Sequence, residues 1–380
     1  MSFWIITLIV ITTALFILPL VPGLVEIVRK TDVKPLRVSQ AYDSNPFHFA
    51  EGFREYIRKQ FPDIHSAQNH NGRLSDGTQY QMVGEKGIPN LDASSVTAKL
   101  LLSAHPLTLP AGELFEMEIY GAQSILTGER SHFRALLSDD KLQLRESCTI
   151  LRWAHSNGEM AVGRHSKLFG RATSNQSIVL GDDVQFERLH APRVLTASLS
   201  TTGQLAPKVV LTALRELDDV KIQYGRRWVL NDKLDFPANH SFDGDIITGT
   251  TAIIGDNAHI SGSIKCNADN DVAHHLQNTG IAIRTDKKTA RCEVGNWVRI
   301  DGSLISSNDL YIGQYCQIMG PVIAEGVLVI GAGTVIGSPE CPTTVTAPRI
   351  IIESGCTVYG TLWATENGIV RTASQDKAVA

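Results

Sequence analysis

The sequence predicts an all-β fold in which one single-stranded parallel β-helix, with about 18 residues per coil, takes up most of the chain. A short apolar phrase recurs, glycine stands at fixed places within it, and apolar and polar residues alternate between the glycines. The first glycines of three phrases, Gly295, Gly313 and Gly331, are 18 residues apart. A parallel β-helix needs such a period because each coil stacks on the coil before it.

Two slots of the phrase are predicted to point inward, because each holds residues of similar size in every copy. The slot three residues after the first glycine is small, and the slot five residues after it is aliphatic. The small slot holds Ala258, Val298, Cys316, Thr334 and Cys356. The aliphatic slot holds Ile260, Ile300, Ile318, Ile336 and Val358. Corners are predicted two residues further on, where glycine turns most easily. These glycines are Gly262, Gly302, Gly320 and Gly360.

The coil is predicted to run over residues 113–363, because weaker copies of the phrase extend it towards the N-terminus. Excursions from the coil are predicted at about 191–235 and 266–291, where no copy fits. Residues 62–112 are interpreted as a loop-rich segment able to cap the coil. Residues 364–380 are interpreted as a polar tail.

Residues 1–25 are predicted to form a membrane anchor, since they contain no charged residue and a spanning helix needs about 20 apolar residues. The side chains expected to contact lipid are Phe3, Trp4, Ile5, Leu8, Phe16 and Leu18. The alternative is a cleavable signal peptide, which usually begins with basic residues and ends in a small-residue cleavage site. Neither feature is present.

Basic residues after the anchor predict a single-pass protein of the bacterial inner membrane with its coil in the cytoplasm. They are Arg29, Lys30, Lys34 and Arg37. A periplasmic coil is the alternative, because six cysteines could form three disulfides there. However, Cys148, Cys316 and Cys356 fall in the small inward slot, which favours buried thiols.

Residues 26–61 are predicted to join the anchor to the coil and to contain an amphipathic helix that begins near Pro46. One face of this helix carries Phe49, Phe53, Tyr56 and Ile57. Such a face could lie on the membrane surface or pack on the coil, and the sequence leaves both interpretations open.

The sequence contains no recognisable catalytic, cofactor or metal motif, so no enzyme activity, cofactor or metal is predicted. The net charge of −4 without a basic tract argues against nucleic acid as a partner. His259 is predicted to point outward, and the sequence favours an ordinary surface histidine there over an acyl-transfer base. His274 and His275 are adjacent, and on a strand they would point to opposite faces rather than share a metal ion.

The phrases IGDNAHISGSI, VGNWVRIDGSL and IGQYCQIMGPVIAEG resemble the repeat of the bactofilin, or polymer-forming cytoskeletal, family. The resemblance is clear over Phe236–Leu362 and weaker over Leu126–His190. It implies a right-handed β-helix and a non-enzymatic scaffold that self-associates through coil ends at the membrane. It also suggests an inner-membrane polysaccharide synthase complex as a partner. The surface expected to contact another copy is the C-terminal coil, with Ile352, Val358, Leu362 and Trp363.

Two other classes of protein remain open. A left-handed β-helix acyltransferase also has an 18-residue coil. However, such an enzyme would need small residues at a slot of the phrase that holds large residues in this sequence. The members of that slot are Ile264, Leu304, Val322 and Leu362. A periplasmic β-helix that binds or cleaves a polysaccharide is the third interpretation. The anchor and the long excursion are themselves departures from the bactofilin pattern.

Overall fold

A computed structural model describes residues 2–18, 21, 45–62, 64, 69–85, 96–197, 207, 209–215, 222–224, 226–230, 233–266 and 291–372. The chain divides into two compact units, Met1–Asn45 and Pro46–Ala380. The predictions for the basic residues 29–37 and for His274 and His275 lie outside the described residues.

The first unit contains helix α1 (Ser2–Ile17), 16 residues long and without acidic or basic residues. Within the described ranges, no helix combines the length and the apolar character required to cross a membrane. Of the side chains predicted to contact lipid, Phe3, Trp4, Leu8 and Leu18 are exposed. The side chains of Ile5 and Phe16 are not among those described.

The second unit contains helix α2 (His48–Gln60) and a β-solenoid of about 13 turns, which confirms the β-helix prediction. Its strands fall into a first half, β1 to β14, and a second half, β15 to β33. The first half comprises β1 (His70–Arg73), β2 (Gln79–Val83), β3 (Val96–Thr97), β4 (Leu100–Ser103), β5 (Leu107–Thr108), β6 (Leu114–Gly121), β7 (Ile125–Leu126), β8 (His132–Ser138), β9 (Leu142–Leu144), β10 (Thr149–Ser156), β11 (Met160–Val162), β12 (Lys167–Ser174), β13 (Ser177–Leu180) and β14 (Gln185–Thr196).

The second half has shorter strands until its last two. It comprises β15 (Thr212–Ala213), β16 (Ile222–Tyr224), β17 (Arg227–Leu230), β18 (Leu234–Phe236), β19 (His240–Phe242), β20 (Asp245–Thr248), β21 (Ala252–Ile254), β22 (His259–Ile260), β23 (Ile264–Cys266), β24 (Arg291–Val294), β25 (Arg299–Ile300), β26 (Leu304–Ser306), β27 (Asp309–Ile312), β28 (Gln317–Ile318), β29 (Val322–Ala324), β30 (Val327–Ile330), β31 (Val335–Ile336), β32 (Thr343–Glu353) and β33 (Thr357–Arg371).

Within each half, strands of successive coils pair in parallel, one coil apart. In the first half β10 lies between β8 and β12, with Ile150 opposite Leu168. In the second half β28 lies between β25 and β31, with Ile318 opposite Ile336. The two residues of each pair are 18 apart in the sequence, so the period of the phrase is the period of the stack.

The inward slots are buried as the phrase predicts. All ten residues of the two slots have exposed fractions between 0 and 1%. Cys148, Cys316 and Cys356 are free thiols in this core. Burial raises the pKa of Cys316 and of Cys356 to about 12, so both thiols stay protonated and unreactive at neutral pH.

The corner glycines are required chiefly by close stacking. A Cβ atom on Gly302 would lie 2.5 Å from the backbone of Gly262, and one on Gly320 would lie 2.6 Å from the backbone of Gly302. Only Gly360 of this column also has a positive φ, of 111°. The glycines therefore let successive coils approach at the corner, and larger residues there would separate the strands.

The coil is longer at both ends than the sequence predicted. Strands β3 and β4 already pair in parallel with β6, so coils occupy part of the segment interpreted as a loop-rich cap. At the other end β33 continues to Arg371, and residues 364–371 complete the last coil instead of forming a tail. Within the long excursion, β15 and β17 pair with β19 and β20 as a coil of the second half.

Helix α2 packs on the outside of the first half, which decides between its two interpretations. Ile57 is 1% exposed, and Phe53 and Tyr56 pack on the same outer cluster as Leu102 and Trp153. The membrane-surface interpretation is therefore corrected for these three residues. Strands such as β4 are apolar on both faces, so helix α2 is needed to bury the outer face of the coil and is not available to lie on a membrane.

Polar contacts fix α2 in place. The Arg54 Nε atom donates to Asp139 Oδ1 at 2.8 Å, and an Arg54 terminal nitrogen donates to Asn157 Oδ1 at 2.9 Å. The Tyr120 hydroxyl donates to the other Asp139 oxygen at 2.7 Å. His155 lies buried beside this cluster, with Nε2 3.1 Å from Asn157 Oδ1.

Candidate functional site

The two halves of the solenoid meet at their C-terminal coils, and this junction builds the candidate site. Strand β14 pairs antiparallel with β33 across all three sides of the coil. Phe186 lies opposite Gly368, Leu189 opposite Leu362, and Val194 opposite Val358. The second half therefore runs back towards the first, and its first described strands, β15 to β17, lie at its other end.

This pairing corrects the prediction that the C-terminal coil is an open end. Ile352, Val358 and Leu362 are between 0 and 1% exposed, and only Trp363 reaches the surface, at 39%. The backbone edge of β33 is occupied by β14 of the same chain, so it is closed to a second copy.

A groove of about 590 Å³ crosses the junction, and its walls come from three parts of the second unit. Helix α2 contributes Phe49, the first half contributes Leu151 and Phe169, and the second half contributes Trp363. These four apolar side chains are 39 to 51% exposed. Large apolar side chains grouped in one concave surface indicate a binding site more strongly than single exposed ones do.

Arginine side chains lie among these apolar groups in a regular order. Trp153 on β10 is opposite Arg171 on β12, Arg171 is opposite Arg188 on β14, and Arg188 is opposite Trp363 on β33. We call these four residues the Trp–Arg ladder. The Arg188 Cζ atom lies 4.7 Å from the Trp363 ring centroid, and the Arg171 Cζ atom lies 5.5 Å from that of Phe49. Both distances are typical of cation–π contacts.

The groove is positively charged. Three arginines, Arg152, Arg171 and Arg188, line it together with one carboxylate, Glu187. That carboxylate accepts a hydrogen bond from the Gly170 backbone N–H at 2.7 Å. The Arg188 Nε atom is buried and has no hydrogen-bond partner. Burial, together with the charges of Arg188 and Arg171, also lowers the pKa of His190 nearby.

His259 occupies a second, smaller surface and points outward as its place in the phrase predicted. Its Nε2 atom lies 2.9 Å from Asp301 Oδ2, while Arg299 Nε donates to the other oxygen at 2.7 Å. A groove of about 320 Å³ runs past it, with the rings of Trp297 and Tyr315 stacked 4.4 Å apart. Asp301 thus fixes the orientation of the imidazole. Within the part of the chain that the structure describes, no group of His, Cys, Asp and Glu has the arrangement of a metal site.

The sequence did not reveal the groove, because its members come from segments more than 300 residues apart, from Phe49 to Trp363. One local signal was available. Leu151 and Phe169 are large apolar residues at outward positions, 18 apart, which the inward pattern does not explain.

Fold and site together define the class: a β-solenoid protein in which two coil stacks close on each other and share one apolar, cationic groove. No protein-family model, curated protein or solved structure matches the chain.

Proposed function

We propose that the protein is a non-enzymatic scaffold at the bacterial inner membrane, related to the bactofilins in its repeat and with the right-handed coil of that family. The observation that supports this best is the junction, where the last strand of one coil stack pairs with the last strand of the other. A solenoid of about 13 turns stacked in this way holds outward side chains at fixed spacing over a long surface. Such a surface suits the arrangement of partners, for which an inner-membrane polysaccharide synthase complex remains our proposal.

We propose that helix α1 attaches this scaffold to the membrane. Its exposed side chains include Phe3, Trp4 and Leu8, at 66 to 77%, and such apolar groups are unfavourable in water. We propose that the coil lies on the cytoplasmic side of the membrane, because basic residues follow the helix in the sequence.

Cys341 allows this orientation to be tested, because it is the exposed one of the six cysteines. A membrane-impermeant maleimide should label it after permeabilisation of the cells but not before, and the Cys341→Ser variant should not be labelled in either case. Labelling of intact cells would place the coil outside the cytoplasm.

Self-association is proposed to use the outer ends of the two halves. Each outer end has an antiparallel pair: β1 with β2 in the first half, and β16 with β17 in the second. Among the described strands, β1 pairs with β2 alone. An edge of this kind offers backbone groups to a second copy.

Asn71→Pro tests the scaffold proposal at the edge of β1. Leu74 N donates to Thr78 O, and hydrogen-bonded pairs alternate along antiparallel strands, so the N–H of Asn71 points away from β2. Proline at this position should therefore block the outer edge and leave the β1–β2 pair intact.

In mild detergent, light scattering should find that the full chain forms oligomers that grow with concentration. Asn71→Pro should reduce them, whereas Asn71→Thr, which keeps the N–H, should not. A wild-type chain that stays monomeric at every concentration would contradict the proposal.

A further inference from the structure

We propose that the groove at the junction binds an anionic polysaccharide, whose carboxylates contact Arg171 and Arg188 and whose sugar rings lie on Trp363 and Phe169. This binding site goes beyond the scaffold role, and the two proposals can fail separately.

The arginines indicate an anionic ligand. Arg171 and Arg188 lie directly opposite each other on neighbouring strands, and like charges in that position repel. Arg152 adds a third positive charge to the lining, and Glu187 is the one carboxylate there. A buried donor without a partner, such as Arg188 Nε, is costly unless a ligand accepts its hydrogen bond. Arg171 already donates a hydrogen bond to the Pro46 carbonyl at 3.1 Å, so the unmet donor is Arg188 Nε. A carboxylate at this position would satisfy that donor and offset the positive charge, because it can accept two parallel hydrogen bonds from a guanidinium.

The exposed rings favour a sugar as the carrier of these carboxylates. Phe169 and Trp363 are each 39% exposed, so part of each ring is open to a ligand. A pyranose has an apolar face of C–H groups and a polar rim of hydroxyls. Its apolar face can cover an aromatic ring while its carboxylate reaches the guanidinium beside that ring.

The surrounding sheet argues against an extended peptide as the occupant. β10, β12, β14 and β33 each pair on both sides, so no strand edge is open at the groove. A peptide added as a strand would need such an edge. Here a ligand must be recognised by side chains alone.

The geometry of the ladder suits a polymer. Successive residues of the Trp–Arg ladder lie on neighbouring strands, roughly 4.8 Å apart. This repeat is close to the length of one pyranose in an extended chain. Trp153 packs against Phe53 of helix α2 and is 9% exposed, so the part of the ladder open to a ligand is Arg171, Arg188 and Trp363. A polyuronate that lies over these three residues would present successive sugar units to neighbouring strands.

The test measures binding of a galacturonic acid hexamer to the full-length protein in mild detergent by calorimetry. The matched neutral probe is the same hexamer with its carboxylates methyl-esterified. We expect the acidic hexamer to bind, added salt to weaken it, and the ester to bind at least about tenfold more weakly.

Variants locate the binding. Arg188→Gln and Trp363→Ala should each weaken it about tenfold, and Trp363→Phe should retain most of it. Arg226→Gln is the control, because Arg226 is an exposed arginine that does not line the groove and pairs with Asp243. If Arg188→Gln alters thermal unfolding, Arg152→Gln replaces it, since that side chain is exposed.

Three results with the uronate hexamers would overturn the proposal. They are no binding of galacturonate, glucuronate or mannuronate hexamers, equal binding of acid and ester, and unchanged binding by Arg188→Gln and Trp363→Ala. Equal affinity for polyglutamate would show that charge alone is recognised, and would overturn the assignment to a sugar. Failure of oligomerisation with retained hexamer binding would reject the scaffold and leave this site standing.

Discussion

Leu362→Asp is expected to lower the free energy of unfolding by about 4 kcal/mol or more and to separate the two halves of the solenoid. Leu362 is 0% exposed and lies opposite Leu189 at the junction. A carboxylate there would lose its hydration and gain no partner, because the neighbouring side chains in the core are apolar.

Hydrogen exchange would distinguish this local effect from general unfolding. Amides of β14 and β33 should exchange faster in Leu362→Asp, whereas amides of β8 and β25, several coils away, should change little, since a solenoid is stabilised by nearest neighbours. The control is Thr365→Asp, which places the same charge at an exposed position of the same strand. Equal stability of Leu362→Asp and wild type would show that the junction does not form in solution.

Acidification is expected to destabilise the second unit through His155. Burial is the main cause that lowers the pKa of this histidine from 6.5 to about 4. The hydrogen bond with Asn157 opposes this shift, the Arg54 charge adds to it, and the charges of Asp139 and Glu51 oppose it. The folded state therefore binds fewer protons than the unfolded state between these two values. The neutral ring therefore makes its full contribution to the free energy of unfolding above about pH 6.5. This free energy falls by about 3 kcal/mol as the pH approaches 4.

Denaturant unfolding at pH 7 and pH 4.5 would measure this loss. His155→Gln should reduce the difference between the two pH values, because the amide does not titrate there. His132→Gln should leave it unchanged, because the side chain of His132 is exposed. His190, whose pKa is also lowered by burial, should account for part of the remainder. An unchanged pH difference in His155→Gln would show that the buried ring does not control this transition.

The sequence predicted the coil well because stacking imposes a rule on every turn. Ile300, Ile318 and Ile336 must fill the same space in successive coils, so their spacing in the chain reports their neighbours in the fold. The burial of Cys316 and Cys356 followed from the same rule. Helix α2 was predicted as an element, but both of its possible locations fitted its amphipathic pattern.

The reversal of direction at the junction could not be predicted in this way. A period of 18 residues is the same whether a stack continues or turns back, so the phrases on either side of residues 191–235 look alike. The pairing of β14 with β33 joins residues about 170 apart, such as Leu189 and Leu362, and no local pattern records it. The groove depends on that pairing and was therefore missed as well.

The antiparallel junction has a consequence for directionality. Each half begins at an outer end and finishes at the junction, so both outer ends of the solenoid are the starting coils of a half. A filament built by contact between like outer ends would have no plus or minus end. It could mark a position on a membrane, but it could not carry the directional growth that polar filaments sustain.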